Sequence, residues 1–78
     1  MKNSIYTVEY QKFLKNLRQA RKEAGFTQVE IAKKLSQHQS YISKCESGEK
    51  RVDIVELLRF ARAYKKPIDY FIKDILEK

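Results

Sequence analysis

Cysteine, proline and glycine are scarce in this chain of 78 residues, which has one Cys, one Pro, two Gly and no Trp. A single cysteine permits no disulfide within the chain, so a secreted, disulfide-stapled scaffold is excluded. The sequence also lacks alternating strand-like runs, an apolar stretch long enough to span a bilayer and a secretory signal pattern. These absences predict an all-α protein of the cytoplasm.

The short length predicts one domain with a small core. A chain of this size buries only about 60% of the surface that its unfolded form exposes, so association with a second copy would help to stabilise it. We expect residues 7–78 to form the domain. Residues 1–6 show no pattern and are expected to be a loose arm.

Positive charge is unevenly distributed along the chain. The formal net charge is +7, yet residues 67–78 hold two Lys against three Asp or Glu, so the whole excess lies in residues 1–66. A polyanion such as DNA is the natural partner of such a surface. The alternative is an ordinary surface that lysine keeps soluble.

Two capping boxes mark the starts of helices. Thr27 stands three residues before Glu30, and Asp53 stands three residues before Glu56. Each pair can therefore satisfy the first free amides of a helix. Gly48 would end the helix that lies between the two boxes in a left-handed conformation.

Apolar residues at helical spacing extend this prediction to five helices. Thr7 would cap a first helix that runs to about Ala24 and stops at Gly25, and Pro67 fits the first turn of a fifth. The inward stripe of the first helix is Tyr10, Phe13, Leu14, Leu17, Ala20 and Ala24. That of the fourth is Ile54, Leu57, Leu58, Ala61 and Tyr64, and that of the fifth is Ile68, Phe71, Ile72, Ile75 and Leu76.

Residues 27–48 are typical of two short helices folded against each other. Their inward stripes are Ile31, Ala32 and Leu35 on one helix, then Tyr41, Ile42 and Cys45 on the other. Only three residues lie between the helices, so the turn is tight. The outward face of the second helix carries short or flexible hydrogen-bonding side chains, namely Gln39, Ser40, Ser43, Lys44 and Ser47. A merely solvated face would more often carry Glu and Lys.

This pattern resembles the helix-turn-helix family of phage Cro and repressor proteins, also called the XRE-like family. The matching residues are Arg21, Gly25, Thr27, Gln28, Ile31, Ala32, Leu35, Gln39, Ser40, Tyr41, Ile42, Ser43, Glu46, Gly48, Val52, Asp53, Leu57, Leu58 and Ala61. The resemblance implies a compact five-helix bundle that binds specific DNA sequences as a dimer. Ser36 departs from the pattern because the family usually has Gly there, so we expect a positive φ at some energetic cost.

The resemblance also implies which side chains read DNA bases. Gln39 would open the recognition helix, where its carboxamide can pair with N6 and N7 of adenine. Ser40, Ser43 and Lys44 follow on the same face and would reach nearby base edges or phosphates.

Other residues are expected to fix the protein on the DNA backbone. The expected phosphate contacts are Gln28, Ser47, Lys50 and Arg51, which would set affinity and register without reading bases. The resemblance implies a structural ion pair between Arg21 and Glu46. The apolar residues of the fifth helix, Ile68, Phe71, Ile72 and Ile75, are a candidate dimer seam.

Catalysis and metal binding lack the necessary residues. His38 and Cys45 stand seven positions apart without a carboxylate cluster beside them, and Cys45 is expected to be a buried, inert thiol. The sequence has no Gly-rich phosphate loop and no recognisable pair of nucleophile and base. We therefore expect no enzymatic activity, no metal and no cofactor.

These observations together predict a transcriptional regulator of prokaryotic or phage origin. The expected mechanism is repression by a homodimer on a pseudo-palindromic operator in double-stranded DNA. An antitoxin that also holds a toxin, or a restriction–modification controller, would have the same fold. A module that binds only proteins is a further alternative, which the basic outward face argues against and the apolar fifth helix keeps open.

Overall fold

The computed structural model describes residues 7–75, which form five α-helices. These are α1 (Val8–Glu23), α2 (Gln28–Lys34), α3 (Gln39–Ser47), α4 (Ile54–Tyr64) and α5 (Ile68–Ile72). The predicted all-α, five-helix fold is confirmed, and no strand occurs in the described range. None of these helices has both the length and the apolar character needed to cross a membrane. The expected arm, residues 1–6, and Leu76 lie outside the described residues.

Three helices begin at the caps that the sequence predicts. The Thr7 hydroxyl accepts a hydrogen bond from a first-turn amide of α1 at 3.0 Å. Thr27 with Glu30, and Asp53 with Glu56, each form both hydrogen bonds of a capping box. These reciprocal bonds fix where α2 and α4 start, because they satisfy amides that have no partner inside the helix.

The other two helices begin without a side-chain cap. His38 is the N-cap of α3, but its imidazole makes no capping hydrogen bond. Pro67 is the N-cap of α5, with φ −71° and ψ 159°, so it precedes the helix instead of lying in its first turn as predicted. Both helices therefore depend on packing more than on their own end groups.

Four helices end in a left-handed turn, and only two of these turns contain glycine. Gly25, Ser36, Gly48 and Lys65 have φ values of 84°, 57°, 89° and 57°, so Gly48 ends α3 as predicted. After α2, the Ser36 amide donates to the carbonyl three residues earlier at 3.1 Å, and the next amide donates to the Ala32 carbonyl at 2.8 Å. This pair of bonds is the Schellman motif. The expected positive φ of Ser36 is confirmed, and an L-residue pays about 1–2 kcal/mol for that conformation.

All five helices contribute to one apolar core. Its buried members are Phe13, Leu14, Leu17, Ala20, Ile31, Ala32, Ile42, Cys45, Leu57, Phe60, Ala61, Tyr64 and Phe71. The Cys45 side chain is fully buried, as expected, and burial raises the pKa of its thiol. The thiol therefore stays protonated and packs as a small apolar group.

The prediction for α4 is wrong in part: Leu57, Ala61 and Tyr64 are buried as expected, but the buried face of the helix is shifted toward Phe60. Ile54 and Leu58, expected to point inward, are 63% and 46% exposed. Phe60, absent from the predicted stripe, is 1% exposed. Its ring stacks on Tyr64 with centroids 5.9 Å apart and on Tyr41 with centroids 6.3 Å apart. Burial of these rings removes more apolar area from water than burial of aliphatic side chains would, so the aromatic face prevails.

α5 ends at Ile72, earlier than its apolar spacing predicts. Asn16 of α1 is 3% exposed, and its side-chain amide donates to the Phe71 carbonyl at 3.1 Å and to the carbonyl two residues later at 3.2 Å. Lys12 donates to the Asp74 carbonyl at 2.8 Å. Side chains of α1 thus satisfy carbonyls that would otherwise need a longer helix.

The expected dimer seam changes with this packing. Phe71 is fully buried in the core of its own chain, so it has no surface left for a partner and is removed from the seam. Ile68, Ile72 and Ile75 are half-buried and keep part of their apolar surface in contact with solvent.

Replacement of Ser36 by glycine should stabilise the fold. We expect Ser36→Gly to raise the free energy of unfolding by about 0.5–1 kcal/mol, because relief of the left-handed strain exceeds the added freedom of the unfolded chain. Urea denaturation followed by circular dichroism measures the difference. Ser36→Ala is the matched control, since it keeps a Cβ at the same φ and should bring no gain. Equal stabilities of the two variants would contradict the strain.

Candidate nucleic-acid interface

α3 presents a continuous polar face to solvent. The residues predicted to contact bases or phosphates from this helix are all exposed, namely Gln39, Ser40, Ser43, Lys44 and Ser47. The opposite face is buried and packs against α2 and α1. An exposed helix face of this kind has the dimensions that fit the major groove of B-DNA, where hydrogen-bonding side chains can meet base edges.

The starts of α2 and α3 meet at two glutamines. The Gln39 Nε2 atom lies 3.4 Å from the Gln28 Oε1 atom, which is a long hydrogen bond. A residue expected to touch phosphate and a residue expected to read a base are therefore direct neighbours.

A buried ion pair between α1 and α3 makes a hydrogen bond to Gln28, the first of these glutamines along the chain. The Arg21 Nε and the Glu46 Oε2 atoms are 2.7 Å apart, and a second guanidinium nitrogen lies 3.1 Å from Glu46 Oε1. Glu46 is 3% exposed, and its hydrogen bonds raise the pKa of Arg21. The same Oε1 atom accepts from the Gln28 Nε2 atom at 3.0 Å. The structure thus brings together Arg21, Glu46, Gln28 and Gln39 in one chain of contacts.

This chain of contacts sets the direction of both amide groups. An ionised carboxylate only accepts hydrogen bonds, so Gln28 must turn its NH₂ group toward Glu46. The Gln28 carbonyl oxygen then faces Gln39 and accepts from its NH₂ group. Gln39 keeps its own carbonyl oxygen and one N–H for a base. One acceptor beside one donor is the pair that N6 and N7 of adenine require.

Arg18 also holds the end of α3, although its position on the polar face of α1 gave no indication of this role. Its guanidinium donates to the backbone carbonyl of Glu46 at 3.0 Å. Arg21 additionally donates to the Phe26 carbonyl at 3.0 Å, which ties the turn after α1 to the same cluster. Two arginines one helical turn apart therefore fasten α3 to α1.

Lys50 is already paired within the protein, which differs from its expected role as a free phosphate contact. Its ammonium group donates to both Glu56 oxygens, at 3.0 and 2.8 Å. The Tyr41 hydroxyl donates to the same carboxylate at 2.8 Å. Burial acts to raise the pKa of Glu56, but the hydrogen bonds from Lys50, the Asp53 amide and Tyr41 together outweigh it and lower the pKa overall. A phosphate would have to compete with Glu56 for Lys50.

Arg51 and Ser47 have different surroundings. Arg51 is exposed, its guanidinium carbon lies 5.4 Å from the centre of the Tyr10 ring, and no carboxylate pairs with it within residues 7–75. Ser47 donates to the Lys44 carbonyl at 3.2 Å and accepts from the Glu49 amide at 3.2 Å. Arg51 is thus available to a phosphate, whereas the Ser47 hydroxyl helps to close the turn after α3.

Neutralisation of Glu46 should weaken both the fold and the interface. We expect Glu46→Gln to lower the free energy of unfolding by about 1.5–3 kcal/mol, because Arg21 loses its charged acceptor in a buried site. DNA affinity should fall too, since a glutamine at this position can present NH₂ to Gln28 and reverse both amides. Urea denaturation and fluorescence anisotropy with duplex DNA measure the two effects.

Glu49→Gln provides the control for this change. It removes the same charge from an exposed side chain of the loop after α3 and should leave stability nearly unchanged. If the two variants were equally stable and bound DNA equally well, Glu46 would have no organising role.

One comparison with known proteins agrees with this geometry. The family model described as Helix-turn-helix matches residues 17–71, which include α2, α3 and α4 entirely and parts of α1 and α5. No curated protein matches the chain, and neither does any solved structure. The match covers more than half of the chain and confirms the resemblance to XRE and Cro proteins. The chain therefore belongs to the helix-turn-helix family of DNA-binding proteins, in its XRE/Cro-type branch.

Proposed function

We propose that this protein represses transcription by binding a specific operator through the exposed face of α3. The observation that carries the proposal is the fixed direction of the Gln39 carboxamide, which Gln28 and the buried Arg21–Glu46 pair orient. Preorganised polar groups at the start of a recognition helix bind a matching base more tightly, because less conformational freedom is lost on binding. Repression follows most simply if the bound protein covers a promoter.

Sequence-independent affinity would come from groups around this face. Arg51 and Lys44 are exposed cations without carboxylate partners in the described part of the chain, and Gln28 retains one N–H for a phosphate oxygen. Ser40 and Ser43 are short enough to approach base edges or phosphates closely. Such contacts hold the recognition helix in register, while the base contacts select the sequence.

Operator selection followed by substitution tests this assignment. Duplexes selected from random DNA at about 0.15 M salt, where non-specific binding is screened, should yield an inverted repeat. Gln39→Ala should then weaken the selected site by about 1–3 kcal/mol and leave random DNA unaffected. Arg51→Ala should weaken both alike and reduce the slope of log affinity against log salt by about one. Equal losses for both variants would refute base reading by Gln39.

We also propose that two copies associate through an apolar face formed by α1, α4 and α5. Ile54, Ile72 and Ile75 line a groove of about 370 Å³ whose walls are mainly apolar. Val8, at the start of α1, is 67% exposed, and Ile54 is 63% exposed. An apolar groove that includes an exposed isoleucine favours an interface. A two-fold dimer would place its recognition helices about 34 Å apart, in successive major grooves.

A charge at the apolar face should prevent association. Sedimentation equilibrium at tens of micromolar should give the parent protein about twice the 9.3 kDa mass of the chain, and Ile54→Lys the mass of one chain. Val29→Lys is the control, because Val29 is a 47% exposed apolar residue on α2, which does not line the groove. A monomeric parent, or a dimeric Ile54→Lys variant, would rule out this interface.

A further inference from the structure

A second, basic groove lies between the C-terminal end of α2 and the C-terminal half of α4. Its cavity has a volume of about 350 Å³ and is lined by Lys34, Leu35, Arg59, Arg62, Ala63 and Lys65. A neighbouring cavity of about 260 Å³ shares Lys34, Ala63 and Lys65 with it and extends to Ala24, Phe26 and Tyr64. We call the two cavities together the α2–α4 groove.

The cations of the α2–α4 groove are unpaired within the described residues. Lys34, Arg59, Arg62 and Lys65 are exposed, and none of their side chains forms an ion pair or hydrogen bond within residues 7–75. Lys66, the residue after Lys65, is paired by contrast, because its Nζ atom lies 2.7 Å from a carboxylate oxygen of Glu23. The dipole of each helix favours one positive charge in its last turn, which does not account for four cations around one cavity.

The floor of the larger cavity is mainly apolar. Leu35 and Ala63, which line it together with the cations, are half-buried, and Phe26 and Tyr64, whose ring centroids are 6.2 Å apart, line the neighbouring cavity. A cavity of this volume is large enough for a ligand side chain. Cations around an apolar floor complement a ligand that carries both carboxylates and an apolar group.

The position of the groove separates it from the DNA-reading face. Gln28 at the start of α2 contacts Gln39, whereas Lys34 ends the same helix, about 9 Å further along its axis. A sugar–phosphate backbone would satisfy the cations, but it has no side chain to place against Leu35 and Ala63. The chemistry of the groove therefore favours a polypeptide over nucleic acid.

We propose that the α2–α4 groove binds an acidic, amphipathic segment of a partner protein. Carboxylates of the segment pair with Lys34, Arg59, Arg62 and Lys65, and the two arginines can each hold a carboxylate through two parallel hydrogen bonds. An aliphatic or aromatic side chain of the segment enters the cavity over the apolar floor. This role is additional to DNA binding and uses a different surface.

Selection from a yeast-displayed library of random short peptides tests the proposal. The full chain is labelled and saturated with random duplex DNA, so that its DNA-binding face is occupied during selection. Recovered peptides should combine Asp or Glu with Leu, Phe or similar residues. The Arg59→Gln/Arg62→Gln double variant should bind them about ten-fold more weakly, because two charge pairs are lost.

A second double variant removes the same charge from the other surface. Lys44→Gln/Arg51→Gln should lose DNA affinity and keep peptide affinity, whereas the groove variant should do the reverse. Failure to recover acidic peptides, or peptides that bind the groove variant as tightly as the parent, would overturn the proposal. So would a groove variant that loses as much DNA affinity as the control, since the groove would then be part of the DNA-binding surface.

Discussion

The buried ion pair between Arg21 and Glu46 is the interaction on which the DNA-binding half of the molecule depends. It joins α1 to the end of α3, and through Gln28 it reaches the start of α2. Burial of two charges contributes little net stability, since desolvation offsets much of their attraction. The ion pair matters for the orientation of neighbouring groups, because the Glu46 carboxylate can only accept hydrogen bonds. A charge inside the protein thereby sets the orientation of the Gln39 carboxamide at the surface.

Positive charge serves three purposes in this chain, and net charge alone does not distinguish them. Arg21 is used internally to position other groups, and Lys50 joins the loop after α3 to Glu56 of α4. Arg51, by contrast, remains open beside α3, and the cations of the α2–α4 groove remain open on another side. The formal charge of +7 therefore combines two separate groups of exposed cations with cations that form ion pairs within the protein.

Local signals predicted most of the fold, and long-range competition decided the rest. The capping boxes, the left-handed Ser36 and the exposed face of α3 follow from short stretches of sequence. The buried face of α4 does not follow from a short stretch of sequence, because Phe60 takes the place of Ile54 in the core only when the other aromatic rings are in place. The pairing of Lys50 with Glu56 likewise joins separate elements, which no spacing rule connects.

Hydrogen bonds from side chains of α1 connect the first helix to the end of α5 and the residues that follow it. Asn16 and Lys12 reach carbonyls that are 55 and 62 positions further along the chain. A helix of five residues cannot persist without such support. The packing of the first helix is therefore complete only when residues 71–74 are in place. Since α1 also packs against α3, the scaffold of the recognition helix extends through α1 to the residues that follow α5.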